Sequence, residues 1–175
     1  TGILYIREKT RIRPVILGGG QQSGMRSGTE NVPGAAGMAL AAEMAYGKLE
    51  ESRAHMYRLR EHLIHGFQAM ENVTVHGAEG EQAAPHIVNA SFPGVRSEVL
   101  LHTLEYEGIY VSAGSACSSH KRAGSPTLTA IGASKAEMES SVRISFSENT
   151  TQEEIDTVLE VLHRVIPMLR RFTRK

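Results

Sequence analysis

One segment of the chain places a thiol among small and basic residues. Residues 111–120 read VSAGSACSSH and contain Cys117, which is the only cysteine of the chain. His120, Lys121 and Arg122 follow it within five positions, and nearby positive charge favours the reactive thiolate of an exposed cysteine. The composition alone leaves two interpretations open: Cys117 is a nucleophile on a loop, or it is an incidental surface cysteine.

A long glycine-rich loop is the second candidate site. Residues 18–34 read GGGQQSGMRSGTENVPG. Glycines allow a backbone to approach a ligand closely, and Arg26 together with the hydroxyls of Ser23, Ser27 and Thr29 can cradle a phosphate. The loop matches neither G-x-x-x-x-G-K-[ST] nor G-x-G-x-x-G, the two nucleotide-binding patterns. The alternative is a plain connecting loop, although a loop of this length is more often functional.

The third candidate is Arg143, in the middle of the predicted strand SVRISF at 141–146. Apolar residues alternate with it, so they should face one side of a sheet and Arg143 the other. An arginine that points into a cleft is suited to bidentate binding of a carboxylate. A solvated position at the sheet edge is the alternative.

The composition narrows the possible classes of function. Lys plus Arg and Asp plus Glu number 19 each, so net charge predicts no general attraction to nucleic acids or membranes. No apolar run approaches the roughly 20 residues of a membrane helix, and a single cysteine cannot form an internal disulfide, which fits a reducing cytoplasm. His62 and His65 share a helix face without further metal ligands nearby, so we predict no metal site.

The first part of the chain predicts strands at 1–7 and 11–17, followed by the loop and a helix over 33–46. Asn31 and Pro33 are suited to the start of this helix, and its Ala- and Met-rich composition predicts that it is buried. Gly47 is the candidate domain boundary.

The remainder alternates helices and strands, which is typical of an α/β or α+β domain. An amphipathic helix is predicted at 48–70, since apolar residues recur there at helical spacing. Strands are predicted at 73–76, 86–92, 109–112 and 141–146, and a helix at 97–107 with Ser97 as its cap. Ser125-Pro126 should open a short helix, and the capping boxes SKAE at 134–137 and TQEE at 151–154 should start two more.

Taken together, these segments resemble a known family. GGGQQSGMRSGTENVPG, NASFPGVRSEVLL (89–101), GIYVSAGSACSS (108–119) and SVRISFSENTTQEEID (141–156) are similar in order and spacing to cysteine desulfurases of the NifS/IscS type. The resemblance implies a pyridoxal-phosphate enzyme of fold type I, normally a homodimer. Such enzymes take sulfur from L-cysteine, release L-alanine and leave a persulfide on a cysteine.

The resemblance also implies roles for individual residues. Cys117 matches the catalytic cysteine, and Arg143 matches the arginine that binds the substrate carboxylate. Thr29 matches the threonine that reaches the cofactor phosphate of the neighbouring subunit. Arg26, Ser27 and Gly28 of the same motif are further cofactor-binding candidates, and Asn31 also belongs to this motif.

In the family, the lysine that anchors pyridoxal phosphate lies just upstream of the segment that TGILYIR (1–7) resembles. We therefore expect a C-terminal part of a desulfurase, with 1–47 as a remnant of the large cofactor-binding domain and 48–175 as the small domain. The expected fold is a small sheet with helices packed on it. Alone, such a part should lack the cofactor anchor and be inactive.

Two alternatives come from other classes of protein. One is a non-catalytic sulfur carrier or interaction module that retains the cysteine loop, and the other is a phosphate-binding protein built on residues 18–34. For the enzyme, the expected partners are L-cysteine and a sulfur acceptor, such as an iron–sulfur scaffold or a tRNA-thiolating enzyme.

Overall fold

The computed structural model describes residues 1–113 and 125–172. The chain forms two compact units, Thr1–Leu49 and Glu50–Lys175. The assignment of 1–47 to a cofactor domain and of 48–175 to a small domain remains a prediction.

The first unit contains a short 3₁₀ segment, Gln21–Gly24, and helix α1, Val32–Gly47. The helix begins where the sequence predicts it, because Asn31 caps it. The Asn31 side-chain oxygen accepts a hydrogen bond from the Gly34 N–H at 3.1 Å, which satisfies one of the free donors at a helix start.

Two predictions for this unit are wrong. Residues 1–7 and 11–17 form no strands, and Ile3 and Val15 are 82% and 93% exposed. A strand also needs a neighbouring backbone to pair with, which residue pattern alone does not supply. Helix α1 is not buried either, as Leu40 and Met44 are mostly exposed. Apolar composition reports a tendency to be buried, but burial also needs a packing partner.

The second unit combines helices with one antiparallel sheet. Its strands are β1 (Thr74–His76), β2 (Ile87–Ser91), β3 (Ser112–Ala113) and β4 (Ser141–Ser145), in the spatial order β1-β2-β4-β3. Its helices are α2 (Leu49–Gln68), α3 (Ser97–Tyr106), α4 (Pro126–Ala130), α5 (Lys135–Glu139) and α6 (Gln152–Phe172). The predicted small sheet with helices packed on it is confirmed.

Helices α2, α3 and α6 cover one face of this sheet. Each contributes an apolar stripe, and the strands contribute alternate residues, as amphipathic elements around one core should. The central members of this core are Leu63, Phe67, Val88, Ala90, Leu100, Leu104, Val142, Ile144, Leu162 and Ile166. The ring of Phe67 meets that of Phe92 edge to face, with centroids 5.6 Å apart.

Local helix signals are mostly confirmed in this unit. The Ser134 and Glu137 box caps α5, and the Thr151 and Glu154 side chains each accept the other's backbone N–H at the start of α6. The prediction that Ser97 caps α3 is wrong by one position. Arg96 is the capping residue, and Ser97 is the first helical residue and is buried.

Candidate functional site

Strand β4 presents Arg143 on the sheet face that the three helices leave uncovered. Its neighbours Val142 and Ile144 are buried in the core, while Arg143 is exposed. The alternation predicted from the sequence is therefore confirmed.

Arg143 belongs to a row of polar residues that crosses all four strands. In the sheet register, His76 pairs with Asn89, Asn89 with Arg143, and Arg143 with Ser112. Directly paired residues on antiparallel strands point to the same face, with Cβ atoms roughly 5 Å apart. The sequence separates these residues by up to 67 positions, so only the sheet register brings them together.

The two neighbours of Arg143 in this row, Asn89 and Ser112, differ in whether they form a hydrogen bond with it. The Asn89 amide donates to the Val142 carbonyl at 3.2 Å and accepts from the Ser141 hydroxyl at 3.0 Å. The guanidinium Nη2 of Arg143 instead donates to Ser112 Oγ at 3.3 Å. Among the described residues, no carboxylate forms an ion pair with Arg143. Its charge is therefore available to an anion.

A second polar cluster lies towards the β1 edge of the same face and was missed by sequence reasoning. His76 Nε2 lies 2.7 Å from Ser91 Oγ, and this hydroxyl donates to the Glu137 carbonyl at 2.7 Å. Since the serine proton is used, His76 must donate through Nε2. The hydroxyl and backbone N–H of Ser134 hold the pKa of the Glu137 carboxyl below its ordinary value. In the sequence, the alternating polar residues of NASF were the pattern that could have indicated this cluster. With Ser91 fully buried, the cluster has a structural role.

Cys117 lies outside the described residues, as do His120, Lys121 and Arg122. Cys117 follows Ala113, the last residue of β3, by four positions. The segment that carries the cysteine therefore starts on the strand directly beside Arg143.

In the first unit, the glycine-rich loop is held together by Ser27. Its side chain is buried, and its hydroxyl donates to the Gly19 carbonyl at 2.7 Å. The Ser27 backbone N–H donates to the Ile16 carbonyl at 3.3 Å. Because its only proton is committed, the Ser27 hydroxyl secures the loop and is not a free donor for a phosphate.

The three other candidates of this loop are exposed. Gly28 has a φ of 107°, a conformation that favours glycine, and it separates the exposed Arg26 and Thr29. The arginine Nη1 lies 3.3 Å from where a Cβ on Gly28 would be. A guanidinium and a hydroxyl thus flank a backbone that lacks a side chain, which fits the binding of a phosphate group.

Residues 1–113 and 125–172 contain neither a metal-binding cluster nor a membrane-spanning helix. Within these ranges, no group of three or more His, Cys, Asp or Glu residues is arranged to hold a metal ion. No helix within them has the length and apolarity to span a membrane.

The second unit is a mixed domain of helices and a small antiparallel sheet. One face of the sheet carries an arginine that forms no ion pair within residues 1–113 and 125–172, and this arginine is a candidate anion site. The family model for aminotransferase class-V matches residues 1–158. The chain belongs to this family.

Its relatives include named cysteine desulfurases. The chain is 38% identical over 172 residues to "Cysteine desulfurase IscS" of Methanosarcina thermophila, covering 98% of this chain and 42% of that protein. It is 37% identical over 169 residues to "Cysteine desulfurase IscS 1" of Archaeoglobus fulgidus, covering 97% of this chain and 44% of the relative. The chain thus spans about two fifths of the length of these relatives.

Solved structures agree with this result. A NifS-like protein matches 94% of this chain and 41% of its own, with a TM-score of 0.78 and 34% identity. The NifS-like protein of Rickettsia africae matches 90% of this chain and 41% of its own, with a TM-score of 0.76 and 28% identity. The resemblance to NifS/IscS-type desulfurases is confirmed.

Proposed function

We propose that the chain is the part of a cysteine desulfurase that binds the substrate carboxylate and carries the sulfur-accepting thiol. The observation that carries this proposal is the guanidinium of Arg143, which forms no ion pair in the part of the chain that the structure describes. It donates a hydrogen bond to Ser112, on the strand that the Cys117 segment follows in the sequence. The desulfurase relatives support it.

Arg143 would bind the carboxylate of L-cysteine. A charged bidentate pair fixes both the position and the orientation of a planar carboxylate. This would place the substrate near the exposed face of the sheet, beside the strand that leads to Cys117.

Cys117 would then accept the sulfur as a thiolate nucleophile. Its sulfur attacks the substrate sulfur, an S–S bond forms and the substrate Cβ–S bond breaks. The carbon retains the bonding pair and takes up a proton, so L-cysteine and the Cys117 thiol become L-alanine and a Cys117 persulfide. A persulfide is one of the reversible modifications of an exposed thiol.

The family implies pyridoxal phosphate, and the residues of the loop fit its phosphate. Thr29 would donate its hydroxyl to the phosphate bound by the neighbouring subunit, Arg26 would add a charge, and Gly28 would permit close approach of the backbone. Ser27 would hold the loop in shape. When bound, the cofactor supplies an electron sink for reaction of the substrate. We further propose a cytoplasmic homodimer that delivers sulfur to an iron–sulfur scaffold or a tRNA-thiolating enzyme, with neither nucleic acid nor membrane as a partner.

The experiment uses the full-length protein that contains this chain and compares Cys117→Ala, Arg143→Ala and the control Ser145→Ala. Ser145 lies on the same exposed face of β4. We expect Cys117→Ala to abolish alanine release and the mass increase of one sulfur atom. Arg143→Ala should raise KM for L-cysteine by roughly 10- to 100-fold, the value of a charge-assisted hydrogen bond. Alanine release at the parental rate by Cys117→Ala would refute the proposal, and so would an unchanged KM in Arg143→Ala.

A further inference from the structure

Ser112 is the residue of β3 that lies directly opposite Arg143 in the sheet. It is exposed, whereas the next residue, Ala113, is buried against the core. We propose that Ser112 is a positioning residue for Arg143, whose hydroxyl holds the guanidinium towards β3. This inference rests on the proposed role of Arg143 in binding the substrate carboxylate.

Arg143 is exposed, so its side chain is free to adopt many conformations. Its long side chain populates many rotamers, and this rotamer entropy must be lost when a ligand is bound in one geometry. A hydrogen bond already formed in the free protein removes part of that cost before the substrate arrives. Within residues 1–113 and 125–172, the side chain of Arg143 forms one hydrogen bond, from its Nη2 to Ser112 Oγ at 3.3 Å.

The hydrogen bonds on either side of Arg143 also explain why its guanidinium lies towards β3 and not towards β2. On the β2 side of Arg143, the Asn89 amide oxygen already accepts from Ser141, and the amide nitrogen donates to Val142. On the β3 side, the Ser112 hydroxyl accepts from the guanidinium. Arg143 is therefore drawn towards the edge strand of the sheet, from which the segment with Cys117 continues.

The bond to Ser112 uses only one part of the guanidinium. An arginine presents its N–H donors as a planar fork, so the remaining donors stay available for a bidentate carboxylate. Ser112 would thus orient the group without occupying it. A hydroxyl at position 112 can accept this hydrogen bond and so orient the guanidinium, whereas a methyl group cannot.

The test compares Ser112→Ala, Ser112→Thr and the control Ser145→Ala in the full-length protein. Because a single neutral acceptor is lost, KM for L-cysteine should rise roughly threefold to tenfold in Ser112→Ala. The value of kcat should stay within about twofold, since positioning for capture affects binding first. Ser112→Thr retains a hydroxyl and should restore KM, and Ser145→Ala should match the parent.

A double-mutant cycle separates this inference from the proposed function. If Ser112 acts through Arg143, then adding Ser112→Ala to Arg143→Ala should cause no further rise in KM. An unchanged KM in Arg143→Ala refutes the proposed carboxylate site itself. A raised KM in Arg143→Ala with a parental KM in Ser112→Ala overturns only the role of Ser112, as would a failure of Ser112→Thr to restore KM.

A second readout needs neither cofactor nor turnover. In this 175-residue chain, the guanidinium nitrogens of Arg143 can be followed by ¹⁵N NMR. We expect faster rotation of this guanidinium in Ser112→Ala than in the parent or in Ser145→Ala. Identical Arg143 spectra in all three proteins would overturn the proposal.

Discussion

Replacing Arg170 should destabilise the second unit far more than replacing its neighbour Arg171. From the last turns of α6, the Arg170 guanidinium donates to three backbone carbonyls, of Glu71 and Asn72 at 2.8 Å each and of Pro93 at 3.1 Å. These carbonyls belong to two separate turns, one after α2 and one after β2. Both turns contain left-handed residues, Asn72 with φ 50° and Gly94 with φ 90°, so Arg170 joins α6 to two constrained connections.

The expected magnitude follows from these contacts. Hydrogen bonds from a charged donor contribute about 1.5–3 kcal/mol each when well buried, but two of the three are exposed to solvent. We therefore expect Arg170→Met to lower the free energy of unfolding by about 2–4 kcal/mol. At roughly 2–4 °C per kcal/mol for a domain of this size, Tm should fall by roughly 5–15 °C.

The assay is thermal and urea unfolding followed by circular dichroism, with Arg171→Met as the control. Arg171 is the next residue of the same helix and is exposed, so its removal should change the unfolding free energy by less than about 0.5 kcal/mol. Arg170→Lys retains the charge but not the planar fork, and should fall between the two. Equal stabilities of Arg170→Met and Arg171→Met would refute the reasoning.

Three other substitutions test packing, helix propensity and pH dependence. A Cβ on Gly66 would overlap Leu159, whose Cδ1 would lie 2.6 Å away. Gly66→Ala should therefore lower the free energy of unfolding by about 1 kcal/mol, even after the higher helix propensity of alanine is taken into account. Gly37 in α1 has open space, so Gly37→Ala should instead raise helicity, as measured by circular dichroism. Glu137 has a lowered pKa, so its stabilising effect is present above its ordinary value of 4.5 and is lost as pH falls through the folded-state pKa. The difference in unfolding free energy between the parent and Glu137→Gln should therefore shrink in urea titrations at falling pH, and a constant difference would contradict this assignment.

Much of the second unit could be predicted because its signals are local. A capping box requires only Ser134 and Glu137 three residues apart, and the same holds for Thr151 and Glu154. The alternation around Arg143 identifies both a strand and its exposed face. The residues of each such pattern lie within a few positions of one another, so the pattern can be recognised without knowledge of the fold.

The rest depends on partners that a local pattern does not specify. Residues 1–7 and 11–17 have the composition of strands but no paired backbone, and α1 is apolar without being buried. The row from His76 to Ser112 exists only through the register of four strands. The commitment of the Ser27 hydroxyl to Gly19 likewise follows from the path of the loop, and not from its composition.

The segment before the cysteine shows how a local pattern can nevertheless decide a distant contact. Ile109 and Val111 pack against the core and Ala113 is buried, while Tyr110 and Ser112 face outwards. Because strand side chains alternate, a shift of one residue would turn Ser112 into the core and expose its apolar neighbours. The three apolar side chains therefore select the register in which a hydroxyl meets Arg143. The strand predicted at 109–112 is wrong for three of its four residues, because β3 is Ser112–Ala113. The alternation of side chains before and within β3 nevertheless places Ser112 opposite the arginine.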